Sequence, residues 1–216
     1  MIAAPRAILF DWDNTLVDSW GTIYHALTAT FTAMGHEPWS LAETKQRVRH
    51  SLRTAFPGLF GARWQEAQRV YLDSFTAIHL ERLAALEGAV ALIEALRARA
   101  LYLAVVSNKT GAILRREAEH LGWTGHFSRF VGAGDATADK PAAAAIALAL
   151  QGSGIAPGET VWYVGDTALD MECAANAGCV GVLLGTPDAG DAGLERFPPA
   201  LRFAACAGLA RALEGL

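Results

Sequence analysis

Asp11-Trp12-Asp13 places two carboxylates two residues apart, directly after the apolar run Ala7-Ile8-Leu9-Phe10. An ionised Asp is a competent covalent nucleophile toward a phosphoryl group. A second carboxylate nearby can protonate a leaving oxygen and then take a proton from water. The same pair also suits a solvated loop or a helix N-cap, so its weight depends on what accompanies it. Three more polar clusters stand at the ends of apolar segments. Ser107-Asn108 offers a hydroxyl, an amide and backbone N–H groups near a helix start, which suits a phosphate oxygen and equally suits helix capping. Asp139-Lys140-Pro141 carries a lysine able to neutralise phosphate charge and orient a carboxylate, although an isolated lysine is ordinarily a surface residue. Gly165-Asp166-Thr167-Ala168-Leu169-Asp170 sets two carboxylates one helical turn apart. With Asp11 they are hard oxygen ligands of the kind Mg²⁺ takes beside water and substrate phosphate. A capped helix explains Asp170 but explains less well a carboxylate at the end of a buried strand.

One mechanism uses all four clusters in chain order. Phosphoryl transfer needs an in-line nucleophile, an acid at the leaving oxygen and positive charge on the equatorial oxygens. Asp11, Asp13 and a magnesium–Lys140–Ser107 set match those needs.

The elements around these residues must bring them together. Ala7–Phe10, 102–106, 160–164 and Val180–Leu184 are short continuous apolar runs, with a weaker one at 130–133. Such runs predict strands buried on both faces of a parallel sheet. Helical patterns at 111–121, 142–150 and 168–177 alternate with them, and Pro141 fits the first helical position. In an open parallel sheet the carboxyl ends of the strands line the ligand crevice, so all four clusters fall at one edge. The stretch from 19 to 86 departs from this alternation: it has helical periodicity and no strand. It predicts helices at 20–34, 41–52 and 62–78, with a Pro57-Gly58 turn between the last two. The fold expected is α/β, a Rossmann-like parallel sheet core with an inserted all-helical cap. Residues 1–18 and 87–216 form the core and 19–86 the cap. Residues 186–200, rich in Gly, Pro and Asp, read as a surface loop, and 207–213 as a closing helix.

Composition narrows the function classes. The chain has 216 residues, 52% hydrophobic and 19% charged, which supports a well-buried core. A net charge of −4 argues against a nucleic-acid binder, whose affinity needs clustered Lys and Arg. Cys173, Cys179 and Cys206 fit neither a disulfide framework nor a zinc site and read as reduced core thiols. No secretory leader or membrane span is expected, and a cytoplasmic location is the default.

Asp11-Trp12-Asp13-Asn14-Thr15-Leu16-Val17-Asp18-Ser19 resembles the first motif of the haloacid dehalogenase superfamily, in its phosphatase branch of phosphoglycolate phosphatase type. Ser107 matches the second motif, Lys140 the third, and Gly165-Asp166-Thr167-x-x-Asp170 the fourth. The resemblance implies Asp11 as nucleophile and Asp13 as acid/base. It implies Mg²⁺ held by Asp11, the Asp13 backbone carbonyl and Asp166, with Asp170 supporting the metal site. It also implies phosphate held by Ser107, Lys140 and the backbone N–H groups of Trp12 and Asn108. Asn14 stands where the family usually has Gly, and Asn tolerates the left-handed backbone that such a turn requires.

The expected partner is a small phosphorylated metabolite, with neither nucleic acid nor membrane, and a monomer or homodimer. His25, Arg49, His50 and Arg53 are the candidate selectivity residues, on the strength of a basic run at 47–50, although charge runs are commonly solvated helix faces. Two alternatives compete with a phosphatase. A phosphotransferase of β-phosphoglucomutase type shares the core residues. A phospho-acceptor receiver domain, or a non-catalytic binding protein on the same fold, belongs to a different class; the long helical insert and Asp13 argue against the receiver domain. Dehalogenases lack the second aspartate, so Asp13 disfavours that chemistry.

Overall fold

A computed structural model describes residues 2–186 and 192–215. The chain divides into two compact units. One holds the chain up to Val17 and from Ala85 onward, and the other holds Asp18–Ala84.

The first unit opens with strand β1 (Ala7–Phe10), all four residues of which are fully buried. Two short paired strands, β2 (Val17–Asp18) and β3 (Ala84–Ala85), carry the chain out of this unit and back. The second unit, lying between them, contains α1 (Trp20–Ala33), α2 (Leu41–Arg47), α3 (Leu52–Phe60) and α4 (Trp64–Arg82). The first unit then continues as α5 (Ala89–Ala98), β4 (Tyr102–Thr110), α6 (Gly111–His120), β5 (Arg129–Ala133), α7 (Ala144–Leu150), β6 (Val161–Gly165), α8 (Ala168–Asn176), β7 (Val180–Leu184), α9 (Ala192–Arg196), β8 (Leu201–Phe203) and α10 (Cys206–Glu214).

Six strands form one parallel sheet in the order β5-β4-β1-β6-β7-β8. The chain first builds outward from β1 through β4 to β5. It then crosses back to β6 on the other side of β1 and builds outward again. That reversal makes β1 the switch point of the sheet, where the two connections part and leave a crevice at the strand ends. Phe10, the last residue of β1, pairs with Val105 on one side and Val164 on the other. Both faces of β1 are covered, as a continuous apolar run requires. Ala7 and Leu9 pack on one face with Ala104, Val106, Ile146 and Ala149. On the other face, Phe10 meets Phe127 edge-on.

In the helical unit, α1 buries Ile23, Ala26, Leu27 and Phe31, and α4 buries Ala67, Tyr71, Phe75 and His79 at four-residue spacing. Phe31, Phe56, Phe60, Tyr71 and Phe75 meet as a chain of aromatic pairs. Ser40 caps α2 through a reciprocal box with Glu43.

Several expectations from sequence need correction. The Pro57-Gly58 turn is absent: both residues lie inside α3, and the helix expected at 41–52 ends at Arg47. Proline removes one backbone donor from a helix, but the flanking Phe56 and Phe60 are both buried in the aromatic cluster, and that burial outweighs the lost bond. Pro141 is not at a helix start. A turn closed by Ala142 N donating to Asp139 O precedes α7, which begins at Ala144. The supposed loop at 186–200 contains α9, with residues 187–191 of it outside the described residues. α5, β2, β3 and β8 carried no assignment from sequence, and β3 falls within the 19–86 stretch expected to hold no strand. The three cysteines are free thiols, as expected.

Candidate active site

Each strand end at the switch point delivers one part of the site. Asp11 follows β1 and is tied to β6 by its backbone N–H, which donates to Val164 O at 2.8 Å. The chain then turns sharply. Asn14 adopts φ 62°, the left-handed conformation that asparagine bears better than other side-chain residues, and its N–H donates to Val17 O at 2.7 Å. Glycine is the usual solution at such a position, so the departure at residue 14 leaves the turn intact.

Lys140 is buried, at 4% exposure, and its ammonium lies between two carboxylates. Nζ is 2.8 Å from Asp11 Oδ1 and 2.7 Å from Asp170 Oδ1. Burial alone would lower the lysine, but the Asp11 and Asp170 charges outweigh it and hold the ammonium well above its ordinary value. The loop carrying Lys140 is fastened by Asn108. The Asn108 amide donates to Lys140 O at 3.2 Å and accepts from Lys140 N at 3.1 Å. Ser107 is buried within β4, which runs on to Thr110 rather than ending at Val106 as the apolar run suggests, and its Oγ accepts from Lys109 N at 3.2 Å.

Asp166 follows β6, and Thr15 Oγ1 donates to its Oδ1 at 3.1 Å. Asp170 stands at the third position of α8. Its Oδ2 accepts from Thr167 N at 3.0 Å and Thr167 Oγ1 at 2.6 Å, a capping box that closes the helix start. Gly165 makes this possible. A Cβ there would lie 2.3 Å from Asp170 Cγ, so only glycine lets the carboxylate sit against the strand end. Tyr163 Oη lies 2.8 Å from Val106 O and 3.2 Å from Asp170 Oδ1, so its single proton serves one acceptor at a time. With Lys140, Tyr163 and Thr167 around it, Asp170 has protein donors near all of its acceptor capacity.

Asp11, Asp166 and Asp170 bring carboxylate oxygens within 4.8 Å of one another. Burial, only partly offset by Lys140, raises the Asp11 carboxyl from 3.8 to about 6. Asp166 keeps some exposure. Loss of hydration, with Asp170 and Asp11 nearby, still pushes its carboxyl well above the ordinary range. Buried carboxylates that repel one another are the donor set a hard divalent cation stabilises, so the residues fit Mg²⁺.

The structure therefore gathers Asp11, Asp13, Ser107, Asn108, Lys140, Asp166 and Asp170 at one edge of the sheet. The Trp12 side chain faces the core instead, edge-on to Trp123 and Phe130, which leaves only its backbone to the site. The selectivity candidates sit in the helical unit. His25, His50 and Arg53 are exposed there. Arg49 is committed to its own helix end, with Nη1 donating to Lys45 O at 2.5 Å and Val48 O at 2.9 Å. Arg47 pairs with Glu43 and stacks on Trp39.

Sequence reasoning missed Lys109, Glu117, Thr15, Thr167 and Tyr163. Lys109 Nζ lies 2.6 Å from Asp13 Oδ1 and 2.5 Å from Glu117 Oε2. One signal was available: Glu117 falls within the stripe of Leu114 and Ala118 on the buried face of α6, where a carboxylate needs a reason.

A parallel sheet with carboxylates and a buried lysine at its switch point is suited to handling phosphoryl groups. The chain belongs to the haloacid dehalogenase-like hydrolase family, whose model matches residues 8–183. Within that family it is a phosphatase of the phosphoglycolate phosphatase-like branch. It is 30% identical over 181 residues to a phosphoglycolate phosphatase from Xylella fastidiosa, covering 82% of this chain and 78% of that protein. It is 28% identical to one from Chromobacterium violaceum, covering 83% and 85%. A solved structure of a hydrolase of this superfamily from Ehrlichia chaffeensis aligns with a TM-score of 0.67 at 27% identity, over 100% of this chain and 99% of that one. Among the described residues no helix is long and apolar enough to cross a membrane.

Proposed function

We propose that this chain hydrolyses a small phosphomonoester through a covalent phosphate on Asp11, with Mg²⁺ as cofactor. The observation that carries this reading is the buried Lys140 ammonium 2.8 Å from Asp11 Oδ1, in a crevice where Asp166 and Asp170 also converge. Lys140 orients the Asp11 carboxylate and offers positive charge to the equatorial phosphate oxygens. An Asp11 carboxylate oxygen attacks phosphorus, and the bond from phosphorus to the leaving oxygen breaks. Asp13 gives a proton to that oxygen and then takes one from the water that attacks the phosphoaspartate. The products are an alcohol and inorganic phosphate, with Asp11 restored. Asp11, Asp166 and the Asp13 backbone carbonyl would hold the cation, which supplies charge neutralisation at the phosphate when bound. Asp170 acts behind them, holding Lys140 rather than ligating, because its oxygens already meet protein donors. Ser107 and the N–H groups of Trp12 and Asn108 hold phosphate oxygens.

Relatives named for phosphoglycolate support a small phosphorylated metabolite as the substrate class. A small phosphorylated hydroxy acid is the first compound to test. Selectivity is assigned to the exposed His25, His50 and Arg53, while Arg49 contributes to the stability of α2. Turnover of p-nitrophenyl phosphate and of a panel including phosphoglycolate should require Mg²⁺, cease with a chelator and return when the ion is restored. Asp11→Asn should abolish it in a folded protein, and appreciable residual turnover in that variant would contradict the reading.

A further inference from the structure

A buried chain of polar contacts runs from the protein core to Asp13, and the mechanism above leaves most of it unused. Trp12 Nε1 donates to Glu117 Oε2 at 2.7 Å. The same Glu117 oxygen lies 2.5 Å from Lys109 Nζ, and that ammonium reaches Asp13 Oδ1 at 2.6 Å. The Glu117 and Lys109 side chains are 1% and 5% exposed, whereas Asp13 opens to solvent at 19%. The order of burial is informative: the chain is anchored where it is deepest and ends at the group that must exchange protons. A buried ion pair is a poor way merely to fasten α6 to the sheet, because desolvating both charges cancels much of their attraction and an apolar pair of equal volume would serve as well. Burial would lower the Lys109 ammonium, but Asp13 and Glu117 outweigh it and keep the group charged.

We propose that Lys109 is a positioning residue for Asp13: it engages Oδ1, fixes the carboxylate rotamer and leaves Oδ2 as the oxygen that exchanges the proton. Glu117 holds Lys109 in turn, and Trp12, locked edge-on against Trp123 and Phe130, holds Glu117. Trp12 thus links the two aspartates of the first motif to the second motif from below. The inference rests on Asp13 acting as acid and base.

The test compares Lys109→Met, Lys109→Arg and Glu117→Gln with wild type, using p-nitrophenyl phosphate, an alkyl phosphate and inorganic phosphate as competitive inhibitor. A misplaced acid/base costs on the order of 100-fold. Lys109→Met should therefore lose about that much kcat on the alkyl phosphate, whose poor leaving group needs the proton most, while KM and the phosphate inhibition constant stay within about twofold. Lys109→Arg should recover part of the loss, and Glu117→Gln should fall between. Wild-type kcat in Lys109→Met would overturn the proposal. So would a large rise in the phosphate inhibition constant, or a KM increase confined to substrates with a second anionic group, since Lys109 would then bind substrate itself. Thermal unfolding of Asp13→Asn, Lys109→Met and the double variant tests the pair without turnover. Losses smaller together than in sum support it, and strict additivity refutes it. A wild-type protein inactive on every phosphomonoester would remove the phosphatase reading instead, and the unfolding cycle would still decide the pair.

Discussion

The helical unit buries aromatic rings and keeps its ion pairs in water, whereas the sheet unit buries ion pairs at one edge. Arg63 and Glu66 make two hydrogen bonds of 2.9 Å, yet their side chains are 54% and 45% exposed. Lys140 and Asp170 lie 2.7 Å apart at 3% and 1% exposure. The distances are similar and the consequences are not. In water an ion pair trades one hydration shell for another and gains little. Below the surface each charge depends on its partner, and removing one leaves the other without compensation. Charge buried at this cost is retained where chemistry uses it, and in this molecule it is concentrated at the strand ends around β1.

The contrast breaks most visibly at Lys140. Lys140→Met should reduce kcat by about 1,000-fold, because it removes both the charge aimed at phosphate and the group that orients Asp11. It should also destabilise the protein by about 3–5 kcal/mol in the absence of a divalent ion, since Asp11 and Asp170 are left to repel each other. Steady-state kinetics and denaturant unfolding measure the two losses separately.

A second effect depends on pH. Burial raises the Asp11 carboxyl from 3.8 to about 6, so the fold favours its protonated form. The stability this group contributes therefore falls as pH rises from about 4 to about 6 and is level above that range. Mg²⁺ needs the ionised carboxylates and competes with these protons. With the proposed Mg²⁺ site, the rise in melting temperature on adding the ion should accordingly be larger at pH 7.5 than at pH 5, as differential scanning fluorimetry would show. An equal rise at both values would separate the ion from Asp11.

Smaller effects sharpen the comparison. Tyr163→Phe removes the hydroxyl between Val106 O and Asp170 Oδ1 and should cost about 1–3 kcal/mol in unfolding, with a modest loss of kcat through a looser Asp170. Glu66→Gln, at the exposed pair of the helical unit, should leave the melting temperature indistinguishable from wild type.

What was legible in the sequence follows the same division. Asp11 and Asp166 stand out because a charge at the end of a fully apolar run has few structural uses, whereas Lys140 reads by itself as a surface lysine and gains weight only beside the other clusters. The strands themselves were readable for that reason: β1 and β7 fall where their apolar runs predict. Lys109 was not legible, because a lysine after Ser107-Asn108 looks like any loop residue until Glu117 is brought beneath it from α6. Tyr163 reads as one more apolar strand residue, and only the packing of α8 shows what its hydroxyl touches. Pro57 misled for a different reason. Its local preference for a turn is real, but burial of Phe56 and Phe60 decided the backbone there. Local chemistry predicted what local chemistry controls, and long-range contacts supplied the rest.

The central claim is that phosphate passes through Asp11. Quenching the protein during turnover, reducing any acyl phosphate with borohydride and sequencing the peptides by mass spectrometry tests it directly. The account predicts homoserine at position 11. Reduction at another residue, or none anywhere while wild-type protein is turning over substrate, would contradict it.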